Sequence, residues 1–372
     1  MRVDAINVYH VAMPLLYPWR TAYGEDVAID SLLVQMESDG ICGWGEATPF
    51  ARPEYSAEWA QGAFSLIRDY FGPYVLGTEI STAAELQTGL ARFKGNYFAK
   101  AALDTAWWNL QSKRQNTPLY KLLGGTSNVV PIGADFGIMD SIEALLQAIS
   151  DAVEAGFTRV KLKFCRGWEL EVVREVRRSF PCLRTHVDCN GSYTLEDIDM
   201  FRALDSLDLE MIEQPLAYDD LVEHAKLQQS LLTPICLDEG VVSVRQLKQA
   251  IELGSCQYLN IKPGRVGGLT CAREMHDICK AANIRCWVGG NLESGVGASV
   301  AVALGTLENF TYPADIFPPG RFYQEDLASP PVKFGKDDAG QPVAIPSDVC
   351  ECPPEPDGHR LGRLTVEKAH VG

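Results

Sequence analysis

Five charged residues recur at a nearly constant interval through the middle of this chain. Lys163, Asp188, Glu213, Asp238 and Lys262 each end a short apolar run, at separations of 25, 25, 25 and 24 residues. The runs are TRVKLKF, LRTHVD, LEMIE, TPICLD and QYLNIK, and polar turns and amphipathic stretches such as VRQLKQAIELG lie between them. Strands alternating with helices imply a parallel sheet, because a parallel connection needs a crossover long enough to hold a helix. VVPIGADFG precedes the series, IRCWVGG follows it, and FTYPAD is a candidate eighth strand. Seven or eight such units imply a closed βα barrel, an α/β fold of the (β/α)8 type. All five charges then stand at the C-terminal ends of the strands, where barrel enzymes place their active sites. A charge ending a buried strand costs free energy unless it is paired or bound to an ion.

The rest of the chain is organised differently. Residues 1–125 read as a small α+β domain, with strands over 1–12 and 29–36, the loop PLLYPWRTAYGED between them, and helices from about Ser56. The barrel is expected over 126–320, and the Pro- and Gly-rich residues 321–372 are expected to return and complete the first domain. Lys plus Arg is 33 and Asp plus Glu is 49, a net charge of 33 − 49 = −16. A polyanion needs clustered basic residues, so nucleic-acid binding is not expected. No run approaches the ~18 apolar residues of a membrane span, and MRVDAINVYHVAMP has no signal-peptide core. A cytoplasmic protein with reduced thiols is therefore expected. None of the 11 cysteines forms a C-x-x-C pair. The one close pair, Cys350 and Cys352, reads as a Pro-rich surface loop rather than a metal site.

The residue types suggest a chemistry. Asp188, Glu213 and Asp238 end adjacent strands, and three converging carboxylates repel one another unless a cation sits among them. All-oxygen ligation suits a hard divalent ion, Mg²⁺ first and Mn²⁺ as a substitute. Three side chains leave coordination positions for substrate and water; salt bridges to the lysines are the plainer alternative. Lys163 ends the second strand and Lys262 the sixth, which face each other across an eight-stranded barrel. Lys161, two residues before Lys163, points the same way, and its charge together with the ion favours a neutral amine on Lys163. A metal-bound carboxylate acidifies its α-carbon, so a lysine could remove the α-proton. Return of a proton from the opposite face inverts the centre; departure of a β-leaving group gives an alkene.

In order along the chain, VKLKF, VDCN, MIEQPL, CLDEG, NIKPGRVGG and CWVGGNLESGVG resemble the muconate-lactonizing branch of the enolase superfamily. That superfamily uses a Lys or His base with Mg²⁺. The resemblance spans roughly residues 1–345. Within the branch, NIKPGRVGG, GGNLESGVG and YPADIFPPGRFYQEDL are most similar to the group of o-succinylbenzoate synthases and N-succinylamino acid racemases. It implies a modified, enolase-like barrel capped by the first domain. It implies Asp188, Glu213 and Asp238 as Mg²⁺ ligands, Lys163 and Lys262 as the acid/base pair, and Lys161 as the first lysine of K-x-K. Asn190 matches the asparagine two residues after the first ligand, and Glu239 supports the third ligand from outside. Asn291 and Glu293, in GGNLESGVG, are expected beside the metal or the substrate. The cap loops PLLYPWRTAYG and ATPFARPEY are implied to close over the substrate, with Trp19, Tyr23, Phe50 and Tyr55 as apolar walls. Arg20 and Arg265 are candidates for contact with a second carboxylate or an amide. Three positions depart from the group: Asn291 stands where an apolar residue is usual, Asp135 where a small one is, and Gly240 where Ser is frequent.

The leading expectation is dehydration of a cyclohexadiene carboxylate to o-succinylbenzoate, a step of menaquinone synthesis. Racemisation of an N-succinyl- or other N-acylamino acid is the alternative. Muconate-type cycloisomerisation and a non-catalytic binding protein rank below these. Reactions with a late His base are set aside, since none of the six histidines ends a sixth or seventh strand. Dipeptide epimerisation is set aside for want of an Asp-x-Asp near the last strands. The implied partner is a small-molecule carboxylate, and the resemblance implies a homo-oligomer.

Overall fold

A computed structural model of the chain describes residues 1–348 and 353–372. Cys350 and Cys352 lie outside the described residues. The nine described cysteines are unpaired.

The N-terminal part is an antiparallel sheet of Ala5–Thr21, Gly24–Ser38 and Ile41–Ala47, with Thr365–Val371 added beside the first strand. Ile6, Val8 and Ile29, Leu32 and Val34 are buried in its core. The helix Tyr97–Arg114 lies directly on this sheet. A Cβ on Gly43 would come within 2.5 Å of Ala106 O, and one on Gly45 within 2.3 Å of Ala102 O. Glycine on the strand and alanine on the helix thus let two backbones meet. The segment PLLYPWRTAYGED, expected as a loop, is instead mostly the end of a long hairpin. Its register slips between Pro14 and Trp19, so Pro18 falls inside the interruption and Pro14, opposite Ala28, at its edge. Leu16 N there donates to Phe322 O at 2.7 Å, tying the hairpin to the chain beyond the barrel.

The second part is a parallel sheet of seven strands: Ala134–Phe136, Arg159–Lys163, Arg184–Asp188, Ile212–Glu213, Ile235–Leu237, Tyr258–Ile261 and Arg285–Val288. All seven were legible as apolar runs. FTYPAD joins the two edges: Thr311 N donates to Cys286 O at 3.2 Å, Asp315 N to Val288 O at 2.9 Å and Ala314 N to Pro131 O at 2.8 Å. Pro313 lacks an N–H, which keeps this segment from being a regular strand. Together these form an α+β capping domain on a parallel, enolase-type barrel sheet. Inside the barrel, below the charged level, Met211, Cys236, Tyr258, Trp287 and Tyr312 form one layer. His186 belongs to it as expected, with Nδ1 at 2.9 Å from Tyr312 Oη.

Two cap carboxylates hold the parts together. Asp104 accepts from Thr270 N at 3.1 Å and Thr270 Oγ1 at 2.6 Å, at the start of Leu269–Ala281. Glu46 accepts from Ser294 N at 3.0 Å and Gly297 N at 2.8 Å, at the start of Gly295–Gly305. Each supplies carboxyl oxygens to N–H groups left without an intrahelical partner at a helix start. Lys333–Lys336 pairs with Pro342–Ile345, which pairs in turn with Val130–Pro131 just before the first barrel strand rather than with the cap sheet. Among the described residues no helix is long and apolar enough to cross a membrane.

Candidate active site

Parallel register sets the site. Lys163 pairs with Asp188, and Asp188 with Glu213, so these three occupy one level. Lys163 Nζ lies 2.7 Å from Asp188 Oδ2 and 3.0 Å from Asn190 Oδ1. Lys161 Nζ lies 2.9 Å from Asp188 Oδ2, 2.8 Å from Glu213 Oε2 and 3.4 Å from Asp315 Oδ2. On the sixth strand's end, Lys262 Nζ lies 2.9 Å from Asp238 Oδ2 and 2.9 Å from Tyr55 Oη. The Arg265 guanidinium pairs with Asp238 Oδ1 and donates to Tyr55 Oη at 3.2 Å. Asn190 Nδ2 donates to Glu239 Oε1 at 2.9 Å. Lys161, Lys163, Asp188, Glu213, Asn190 and Glu239 thus form one connected group and Lys262, Asp238, Arg265 and Tyr55 a second. Asn260 joins the two, its Nδ2 donating to Glu213 Oε1 at 2.6 Å and its carbonyl accepting from Arg265 Nη2 at 2.6 Å.

Burial works against the Asp188 carboxylate, but the ammonium groups of Lys161 and Lys163 outweigh it and hold it well below the usual range. Burial likewise opposes charge on Lys161, and Asp188, Glu213 and Asp315 outweigh it, pushing its pKa well up. For Lys262 the opposing burial is outweighed by Tyr55, Glu239 and Glu213, again upward. Burial and the Asp188 charge push Glu239 up.

As arranged, ammonium and guanidinium groups stand among the carboxylates. No cluster of three or more His, Cys, Asp or Glu among the described residues is set to hold an ion. The donor chemistry nevertheless fits one. Glu213 Oε2 and Asp238 Oδ1 accept no hydrogen bond and are met by ion pairs alone. Three carboxylates on neighbouring strands are the hard oxygen donors that Mg²⁺ takes.

The cap reaches the site through Tyr55, whose ring is packed by other cap aromatics. Phe50 meets Tyr55 edge-on at 5.4 Å, and Tyr23 lies 5.9 Å from the same ring. Phe50, Asn190, Gln214 and Leu292 all have left-handed φ, at 66°, 44°, 36° and 57°. Such backbone costs about 1–3 kcal/mol per residue and persists where surrounding contacts over-determine it. Trp19 packs edge-on against Phe322 at 5.4 Å. Asn291 N donates to Glu293 Oε2 at 2.8 Å, and Asn291 Nδ2 to Thr48 O of the cap at 3.4 Å. Burial pushes the Glu293 carboxyl up to about 7.

Two expected residues are turned elsewhere. Arg20 is half exposed and pairs with Glu25 at 2.8 Å and Asp140 at 2.9 Å. Asp135 faces inward but pairs with Arg159 Nη1 at 3.0 Å. Sequence reasoning missed Gln214, whose Oε1 accepts from Asp238 N at 3.0 Å and Gly240 N at 2.9 Å, positioning that strand end. It sits inside the MIEQPL motif. Asp315 was also missed, although it ends FTYPAD just as the five charged residues end their runs.

A capping domain closed over a parallel barrel, with three carboxylates between lysines from opposite strands, defines a class. The chain belongs to the enolase superfamily, whose shared chemistry is abstraction of a proton adjacent to a carboxylate. Residues 4–124 match the family described as "Mandelate racemase / muconate lactonizing enzyme, N-terminal domain", and residues 144–338 match "Enolase C-terminal domain-like". The chain is 40% identical over 334 residues to an o-succinylbenzoate synthase of Geobacillus kaustophilus, covering 90% of this chain and 89% of that one. It is 41% identical over 336 residues to an N-succinylamino acid racemase of Amycolatopsis sp, covering 90% and 91%. A solved enolase superfamily member from Listeria innocua superposes with a TM-score of 0.93 at 34% identity, covering 100% of this chain and 99% of that one.

Proposed function

We propose that this enzyme dehydrates a cyclohexadiene carboxylate to o-succinylbenzoate, in menaquinone synthesis. The observation that carries the reading is the pair of lysines from the second and sixth strands. They reach Asp188 at 2.7 Å and Asp238 at 2.9 Å, and so flank one carboxylate cluster. Asp188, Glu213 and Asp238 would hold Mg²⁺, or Mn²⁺ in its place. A divalent cation there supplies Lewis-acid stabilisation of charge developing on the substrate carboxylate. Lys163 takes the α-proton and passes it to the departing β-hydroxyl, which leaves as water, and the ring becomes aromatic. Lys262 stays protonated on the far face and stabilises the developing charge electrostatically. Lys161, saturated with carboxylates, keeps the cluster in place. Phe50, Tyr55, Tyr23 and Trp19 exclude water, with the cap over 1–125 and the barrel over 126–320 as the two working parts.

Racemisation of N-succinylamino acids is the second reading, favoured by the 41% identity to a racemase. Here Lys163 and Lys262 exchange protons on opposite faces of one α-carbon. Purified protein with Mg²⁺ should be offered the cyclohexadiene acid and, separately, N-succinylamino acids. Aromatic product supports the first reading. Racemisation without dehydration replaces it with the second, and no turnover of either acid overturns both.

A further inference from the structure

Beneath the lysines lies a charged group that the proposed reaction does not use. Arg159 begins the second barrel strand and is fully buried. Its Nη1 lies 3.0 Å from Asp135 Oδ1, and its Nη2 lies 2.6 Å from Asp315 Oδ1 and 2.5 Å from Pro313 O. The guanidinium sits 5.5 Å from the rings of both Trp287 and Tyr312. A Cβ on Gly133 would fall 2.1 Å from Arg159 Cζ, so this glycine leaves the space the guanidinium fills. An ion group buried this completely persists only with close pairing, and replacing such groups by apolar residues is often neutral or stabilising. Stability alone therefore gives weak reason for it.

The geometry connects the group to the site. Arg159 grips the closing segment twice, at the Pro313 carbonyl and the Asp315 carboxylate, exactly where Pro313 prevents a regular strand ladder. Asp315 Oδ2 then faces Lys161 Nζ at 3.4 Å. Lys161 in turn spans Asp188 and Glu213. Asp135 touches Arg159 and lies against the Asp315 carboxyl, with no hydrogen bond to Lys161. We propose that Asp315, held by Arg159, is a positioning residue for Lys161: it fixes the ammonium between Asp188 and Glu213 and so keeps these carboxylates aligned beneath the substrate.

This rests on the proton-transfer reading of the site, so its test needs one signal that is independent of turnover. That signal is the ¹⁵Nζ resonance of Lys161 in substrate-free protein with Mg²⁺, assigned with Lys161→Arg. The second signal is α-proton exchange of N-succinylphenylalanine in D₂O. Asp315→Asn should shift or broaden the Lys161 resonance. It should lower kcat for exchange by about 10–100-fold, the usual range for groups that orient ligands, with KM changed far less. Asp135→Asn changes a neighbour of both Arg159 and Asp315 but keeps the Asp315 carboxylate that meets Lys161, and should cost much less in kcat at a comparable loss of Tm. An unmoved Lys161 resonance in Asp315→Asn, or a kcat no lower than that of Asp135→Asn, overturns the proposal. If Asp315→Asn does not fold, Arg159→Lys replaces it; it loosens the grip on Asp315 while keeping a cation beside both carboxylates, and an unmoved resonance again overturns the proposal. Absence of exchange and dehydration in wild type would overturn the reaction assignment alone, since the resonance still reports on Lys161.

Discussion

Lys161 and Lys163 share a single oxygen: both Nζ atoms lie on Asp188 Oδ2, at 2.9 and 2.7 Å. Two-residue spacing on one strand puts both side chains on the same face. Their other partners differ. Lys161 is also bound by Glu213 and Asp315, whereas Lys163 has Asn190 as its second partner. Lys163 is therefore held by one carboxylate where Lys161 is held by three.

That asymmetry predicts a one-handed defect. Lys163→Ala should abolish α-proton exchange in D₂O for one enantiomer of an N-succinylamino acid, a loss of about 10²–10⁴-fold for a general base. The other enantiomer, served by Lys262, should retain measurable exchange. Following both enantiomers by proton NMR checks this, and equal loss for both would sink the two-faced assignment.

Chelation tests the carboxylate cluster. EDTA treatment should remove activity, and Mg²⁺ or Mn²⁺ should restore it. Asp238→Asn should raise the Mg²⁺ concentration needed for half-maximal activity, because one hard anionic donor is lost. Activity that survives exhaustive chelation would exclude a metal role.

Gln214 should matter to stability without touching substrate. Its Oε1 satisfies two buried N–H groups, those of Asp238 and Gly240. Gln214→Ala leaves both unpaired, at about 1–3 kcal/mol each. Urea unfolding should show a lower midpoint with an unchanged slope.

The cap's attachment should depend on pH. Burial raises the Asp104 carboxyl from 3.8 to about 6. The folded state then holds this proton more tightly than the unfolded one. Its contribution is full below 3.8 and is lost as pH rises through about 6. The difference corresponds to about 3 kcal/mol at most. Asp104→Asn lacks the group, so the stability of wild type relative to this variant should fall between pH 4 and pH 6 and level off above it. A difference that stays flat or rises across that interval would contradict the assignment.

Much of the site was legible because a barrel repeats. One unit per turn of about 25 residues places Lys163, Asp188, Glu213, Asp238 and Lys262 at one level, whatever the details of packing. Inward direction was legible too, since strand alternation sets it for Lys161 and for Asp135. The partner was not. Asp135 reads as a pocket residue until Arg159, at the opposite end of the next strand, is seen to reach it. Arg20, read as a substrate contact, pairs with Glu25 and Asp140 at the surface.

The sequence by itself therefore determined the architecture, the level of the charged residues and which faces they take, because backbone periodicity is local and repeats. Only the tertiary structure decided which charges neutralise which. Tyr55 reaches Lys262 from 207 residues away, and Asp315 reaches Lys161 from 154. Such pairings follow from how the cap and the closing segment pack, and no local pattern encodes them.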